Sequence, residues 1–144
     1  MSVSGAEYVP IWDADAAGPV EVGIDVIEIE RVRGVLARHG ERFLERIYTP
    51  RERERYRGRV QELAARFAAK EATMKALGTG IRGVRWRDIE VLSNRRGKPI
   101  LVLHGTALQR ARVLGLVHWS VSLTHSRGEA MAIVVAAKAR HTEP

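Results

Sequence analysis

The chain has 144 residues, 45% of them hydrophobic, and a net charge of +7, enough for one domain with a real core and too little for two. It contains no cysteine, which excludes disulfides, thiolate metal sites and cysteine nucleophiles. No apolar run approaches membrane-spanning length, and the first residues lack a basic stretch followed by a hydrophobic one, so a cytoplasmic protein is expected.

Residues 1–18 mix Gly, Pro, Asp and Ala without a sustained period and are expected to form a flexible leader, with a single domain over 19–140. Pro19 to Asp25 alternates and is read as a strand, with Val20, Val22 and Ile24 facing inward and Gly23 allowing close backbone approach. Ile27 to Arg38 reads as a helix closed by Gly40, followed by a short helix over Glu41 to Tyr48. Thr49-Pro50 with Glu52 is a helix-start signal: a Thr cap, Pro in the first position and an acid in the third. That helix runs to about Arg57, and a longer one follows to Leu77.

In the longer helix Val60, Leu63, Phe67, Met74 and Leu77 share a stripe, Lys70 lies inside it and Glu71 at its border. A charge within a buried face is costly unless it is paired or used. Two readings stay open: Lys70 snorkels and Glu71 pairs with Lys75 at i,i+4, or these charges serve a site. Gly78-Thr79-Gly80-Ile81-Arg82-Gly83 matches G-x-G-x-x-G but follows a helix, so a dinucleotide turn is rejected and a ligand-approaching loop is expected.

Asp88 to Leu92 and Pro99 to Leu103 form a hairpin across a turn-rich link, and Thr106 to Leu114 is a short helix. Leu116 to Leu123 alternates, with Val117, Trp119, Val121 and Leu123 on an apolar face, and Glu129 to Lys138 is a strongly apolar last strand. The tail beyond Ala139 is expected to fray. Hairpin-linked strands mixed with helices predict an α+β fold with an antiparallel sheet and a long central helix.

Asp25 closes a hydrophobic strand, and Glu71 borders the helix stripe. If the strand packs on the helix the two carboxylates converge and suit Mg²⁺, which takes one or two carboxylates plus water and phosphates; the competing reading makes Asp25 a helix N-cap. His125 ends a strand and is either a turn residue or part of that site. Ten arginines between Arg31 and Arg59 predict a polyanionic or acidic partner. A nucleic-acid module would explain them but not Asp25, Lys70 or Glu71, and no aromatic stacking pattern supports it.

Four segments in order resemble the motifs of the holo-acyl-carrier-protein synthases. They are Gly23-Ile24-Asp25-Val26-Ile27-Glu28-Ile29-Glu30-Arg31, Phe67-Ala68-Ala69-Lys70-Glu71-Ala72 with Gly78-Thr79-Gly80, Trp86 to Val91 with Gly97-Lys98-Pro99, and Ser122-Leu123-Thr124-His125. The third residue of the last motif is normally serine, and here it is Thr124. The resemblance spans about Val20 to Val135 and implies transfer of 4′-phosphopantetheine from coenzyme A to a serine of an apo acyl carrier protein, releasing adenosine 3′,5′-bisphosphate. It implies that Asp25 and Glu71 bind Mg²⁺ and that Glu71, directly or through a metal-bound water, helps deprotonate the serine. Lys75 would neutralise phosphate oxygens, Lys70 would touch the ligand or pair across a subunit boundary, Gly78, Thr79 and Gly80 would lie against the nucleotide, and His125 would approach the 3′-phosphate. Arg31, Arg38, Arg42 and Arg46 would meet the carrier's acidic helix. The short members of the family form trimers with sites between subunits, and this length fits them. The resemblance implies a carrier protein of fatty-acid, polyketide or peptide synthesis.

Overall fold

The structure is a computed structural model that describes residues 17–140. In chain order it runs β1 (Val20–Glu28), α1 (Ile29–His39), α2 (Glu41–Ile47), α3 (Pro50–Tyr56), α4 (Val60–Leu77), β2 (Ile89–Ser93), β3 (Pro99–Leu103), α5 (Gly105–Leu114), β4 (Leu116–His125) and β5 (Glu129–Lys138). The strands make an antiparallel three-stranded sheet in the order β1-β5-β4 and a separate β2-β3 hairpin. The expected α+β architecture around a long helix is therefore the one found. The expected leader lies outside the described residues up to residue 16. Its last two residues are packed: Ala17 is buried in the cluster containing Met74 and Leu77, and the Gly18 amide donates to Glu21. Among the described residues no helix is long and apolar enough to cross a membrane.

Helix α4 is the axis of the molecule, and it is enclosed on more sides than an amphipathic stripe allows. Ala65, Ala68, Ala69, Ala72 and Ala76 are all buried and share one cluster with Ile27, Ala130, Ala132 and Val134 of the sheet. The sheet therefore meets α4 through its smallest residues, and the helix backbone comes close. Gly23 makes this possible: a Cβ there would lie 1.8 Å from the Ala72 carbonyl oxygen. Of the stripe of larger residues, Met74 and Leu77 pack against α5 as well as the end of the sheet, and Leu63 against Tyr48 and Tyr56.

Close packing inverts the expected sidedness of β1. Glu21, Gly23, Asp25 and Ile27 face α4, whereas Val20, Val22, Ile24 and Val26 lie on the other face and are 46% to 58% exposed. Met131, Ile133 and Val135 of β5 are paired beside them and are likewise exposed. Gly23, Ala130 and Ala132 make room on the face where the helix backbone approaches, and a row of bulky apolar residues takes the open face. The strand also continues past Asp25 to Glu28, and α1 begins at Ile29. Asp25 is thus no N-cap. In β4 a register shift between Leu116 and His118 turns Val117 out to solvent, off the apolar face assigned to it.

The local signals hold. Thr49 caps α3 in a complete capping box with Glu52, and Gly40 follows α1 at a positive φ of 50°. Gly78 ends α4 in the left-handed conformation.

Candidate active site

Strand β1 and helix α4 bring Asp25 and Glu71 to the same cavity, close enough for the charge of one to act on the other. Register and period do this together. Asp25 points to the helix face between the buried Gly23 and Ile27, and Glu71 stands one residue from Ala72, where the helix touches Gly23. Half-buried, Glu71 has its carboxyl pushed up to about 7, first by burial and then by the charge and hydrogen bond of Asp25, against Lys75 and Arg31. Lys75 does not pair with Glu71. Its ammonium donates to Asp25 Oδ1 at 3.1 Å and to the Ile24 carbonyl at 2.9 Å.

Two carboxylates set together, with one lifted first by burial and then by the charge of the other, form a donor pair that a divalent cation relieves. Among the described residues no group of three or more His, Cys, Asp or Glu side chains is placed to hold a metal. Two oxygen donors without a third would suit Mg²⁺, which takes one or two carboxylates and fills its other positions with water and phosphate, better than a caged ion.

The pair edges a cavity of about 160 Å³. Asp25, Glu71 and Arg31 form its polar side, and Val35, Phe43 and Phe67 its apolar side. Val35 and Phe43 also line a neighbouring hollow of about 370 Å³ with His39, Arg42 and Arg46. Arg46 in turn borders a third, of about 310 Å³, with Arg85, Trp86 and Arg87 after the glycine loop. A band of basic residues over an apolar floor therefore runs from the acidic pair around α1 and α2.

Arg38, Arg42 and Arg46 are exposed and make no hydrogen bond or ion pair among the described residues, though Arg38 lines none of these hollows. Apart from Arg31, which lines the cavity beside Glu71, the rest of the arginine run serves the chain itself. Arg53 donates to the Tyr48 carbonyl, Arg55 to the Ser93 carbonyl, Arg57 to Glu41, and Arg51 pairs with Glu90 at 3.7 Å. A sequence count of arginines overstates the surface they leave for a partner.

Lys70 corrects an expectation. It is wholly buried, and its ammonium donates to Glu52 Oε1 at 2.7 Å, to the Trp86 carbonyl at 3.3 Å and to the Ile89 carbonyl. All three protons are used inside the chain, so Lys70 neither snorkels nor reaches a ligand or a neighbouring subunit. Burial draws its pKa down, with Glu52 opposing.

His125 and the glycine loop are not brought together. His125 is level with Ala130 and Ile27, beyond Asp25 toward the start of α4. Gly78, Thr79 and Gly80 follow Leu77, which packs with Leu116 and Ala136 at the opposite end of the sheet. From Glu71 the loop is seven residues on, about 10 Å along the helix axis. Residues the sequence did not single out include Val35 and Phe43, which line the cavity, and Glu52, which holds Lys70. The capping box gave away Glu52 only as a cap, and nothing local marks Val35 or Phe43 as a floor.

Residues 21–134 match the family model of the 4′-phosphopantetheinyl transferase superfamily. A holo-[acyl-carrier-protein] synthase of Herpetosiphon aurantiacus is 52% identical over 120 residues, covering 78% of this chain and 94% of that relative. The crystal structure of the Helicobacter pylori holo-[acyl-carrier-protein] synthase in complex with coenzyme A has a similar fold. Its TM-score is 0.74 at 30% identity, covering 81% of this chain and 99% of that one. A holo-(acyl-carrier-protein) synthase from Bacillus anthracis in complex with CoA (3′,5′-ADP) gives 0.68 at 38% identity, covering 83% and 96%.

Proposed function

The chain belongs to the 4′-phosphopantetheinyl transferase superfamily and is a transferase, and on that premise we propose that it moves 4′-phosphopantetheine from coenzyme A to a serine of an apo acyl carrier protein. The observation that carries this reading is the convergence of Asp25, Glu71 and Lys75 at one end of an apolar-floored, arginine-rimmed band. An acidic amphipathic helix fits that band, its apolar side on Val35 and Phe43 and its carboxylates on Arg42 and Arg46. Coenzyme A in the crystals of related enzymes supports it as donor.

In this reading the serine hydroxyl oxygen bonds to the phosphorus on the pantetheine side of the pyrophosphate. The bridging P–O bond breaks, and adenosine 3′,5′-bisphosphate leaves with the electron pair. Asp25 and Glu71 hold Mg²⁺, which when bound supplies the positive charge that neutralises the pyrophosphate oxygens. Glu71 takes the serine proton, and Lys75 offers its ammonium to the phosphate oxygens once these compete with Asp25 for it. Arg31, on the rim beside Glu71, orients the arriving carrier together with Arg42 and Arg46; Arg38 extends the same charge outward.

The open sheet face of Val20, Val22, Ile24, Val26, Met131, Ile133 and Val135 supports assembly with further copies, and we place it at the interface of a trimer. Such assembly would let His125 of one subunit and the Gly78–Gly80 loop of another share one coenzyme A, which a single chain does not allow. The protein would act in the cytoplasm. The test is to mix the protein with coenzyme A, apo carrier and Mg²⁺ and to quantify adenosine 3′,5′-bisphosphate. One equivalent per carrier, lost on chelation with EDTA and restored by Mg²⁺, is expected. Release that EDTA does not touch would remove Mg²⁺ from the reading, and no release across several carriers would remove the reading itself.

A further inference from the structure

Strand β2 is paired with β3 on one side only, so the outward-facing backbone groups of its other edge need partners. Charged side chains supply them. The Ile89 carbonyl accepts from Lys70, the Val91 amide donates to Glu52 Oε2 at 2.9 Å, the Val91 carbonyl accepts from Arg66 at 3.0 Å and the Ser93 carbonyl from Arg55 at 2.9 Å. Arg66 and Lys70 are one helical turn apart, a rise of about 6 Å, and Val91 and Ile89 are two strand residues apart, about 6.6 Å. The spacings match, and α4 grips the strand edge at two points.

At the centre of this grip is the Lys70–Glu52 pair, in which both side chains are fully buried. Every polar atom of the pair is occupied. Glu52 Oε1 accepts from Lys70 and from the Thr49 amide at 2.9 Å, while Oε2 takes Val91. Burying two ions costs several kcal/mol each, and apolar replacements of equal volume are often no less stable. Stability alone therefore gives no reason for the pair, whereas geometry does. Lys70 precedes Glu71 by one residue, about 100° round the helix. The face of α4 that is locked to α3 and β2 is thus rigidly tied to the face that presents Glu71 to Asp25. The contact of Ala72 with Gly23 sets how close helix and sheet come; the pair resists rotation of the helix about its own axis. A 20° rotation would carry a side-chain end by about 2 Å.

We propose that the buried Lys70–Glu52 pair is a positioning device that fixes the rotation of α4 and so aims Glu71 at Asp25. The proposal rests on the functional reading above, in which those two carboxylates hold Mg²⁺. The test is the uncharged variant Lys70→Met/Glu52→Gln, in which the introduced amide oxygen keeps an acceptor for the Val91 N–H, while the Thr49 N–H loses the oxygen it now donates to and the Ile89 carbonyl loses its lysine donor. Turnover per folded molecule, KM for the carrier and Mg²⁺ affinity by calorimetry with coenzyme A bound are measured beside wild type. Turnover is expected to fall about a hundredfold and Mg²⁺ affinity about tenfold, with KM for the carrier within twofold. A variant that melts lower but keeps wild-type turnover and Mg²⁺ affinity would overturn the proposal, since a merely structural pair changes only the melt. If the double variant does not fold, Lys70→Arg decides: its wider head keeps the charge but displaces Glu52, and unchanged turnover and Mg²⁺ affinity would refute positioning. Wild type that binds no Mg²⁺ would instead overturn the functional reading itself.

Discussion

Replacing Gly23 by alanine adds one methyl group at the point where β1 meets α4. That carbon would lie 1.8 Å from the Ala72 carbonyl oxygen, 2.7 Å from the Ala72 carbonyl carbon and 3.1 Å from the Ala76 nitrogen. All three are backbone atoms, so no rotamer change relieves the clash. Ordinary contact begins near 3.4 Å, so helix and strand must separate by about 1.6 Å. Overpacking of this kind costs about 1–3 kcal/mol, and each kcal/mol lowers the melting temperature of a domain this size by roughly 2–4 °C. The same separation pulls Glu71 from Asp25, and a misplacement of about 1 Å costs roughly a hundredfold in rate. Gly23→Ala should therefore melt several degrees lower by calorimetry and, held well below its midpoint, turn over about a hundredfold more slowly. A variant that melts within 1 °C of wild type with unchanged turnover would refute the close-packing argument and the link from packing to the site.

Other consequences follow from charge. Arg42→Glu and Arg46→Glu should each raise KM for the carrier about tenfold with little change in kcat, an effect that added salt weakens, because they orient the carrier and touch no reacting atom. Steady-state kinetics at two ionic strengths check this, and a fall in kcat alone would contradict it. Burial by itself would raise the pKa of Glu90, but the Thr49 hydroxyl, His104 and Arg51 together hold it below its ordinary 4.5. A carboxylate depressed in the folded state contributes stability that is whole above its unfolded pKa and is lost as pH falls through the folded one. Stability should therefore decline below about pH 4.5 by acid titration, and Glu90→Gln should flatten that decline.

Much of this architecture was legible where the determining interactions are local. Thr49, Pro50 and Glu52 specify a helix start whatever surrounds them, and the turn between β2 and β3 reads directly from Asn94 to Lys98. The convergence of Asp25 and Glu71 was legible only conditionally, because it depends on a strand packing on a helix. Periodicity misled where packing partners differ in size. A search for large apolar residues puts Val20, Val22 and Ile24 inside, while the helix backbone demands the side of the strand that carries Gly23, with Ala132 and Ala130 further along the same face of β5. The role of Lys70 was hidden for another reason: its partners Glu52 and Ile89 are 18 and 19 residues away, and only the tertiary fold makes their meeting visible. The motif around His125 marks a family position, yet no sequence motif states whether its neighbours lie in the same chain.

The most direct test of the account is the intact mass of an apo acyl carrier protein after incubation with coenzyme A and Mg²⁺, using wild type, Asp25→Ala and Glu71→Ala. Wild type should add one 4′-phosphopantetheine to the carrier. Each variant should remain folded by circular dichroism yet leave the carrier unmodified over the same time. A carrier unmodified by wild type, or one modified at a near wild-type rate by either variant, would contradict the assignment of transfer to this pair of carboxylates.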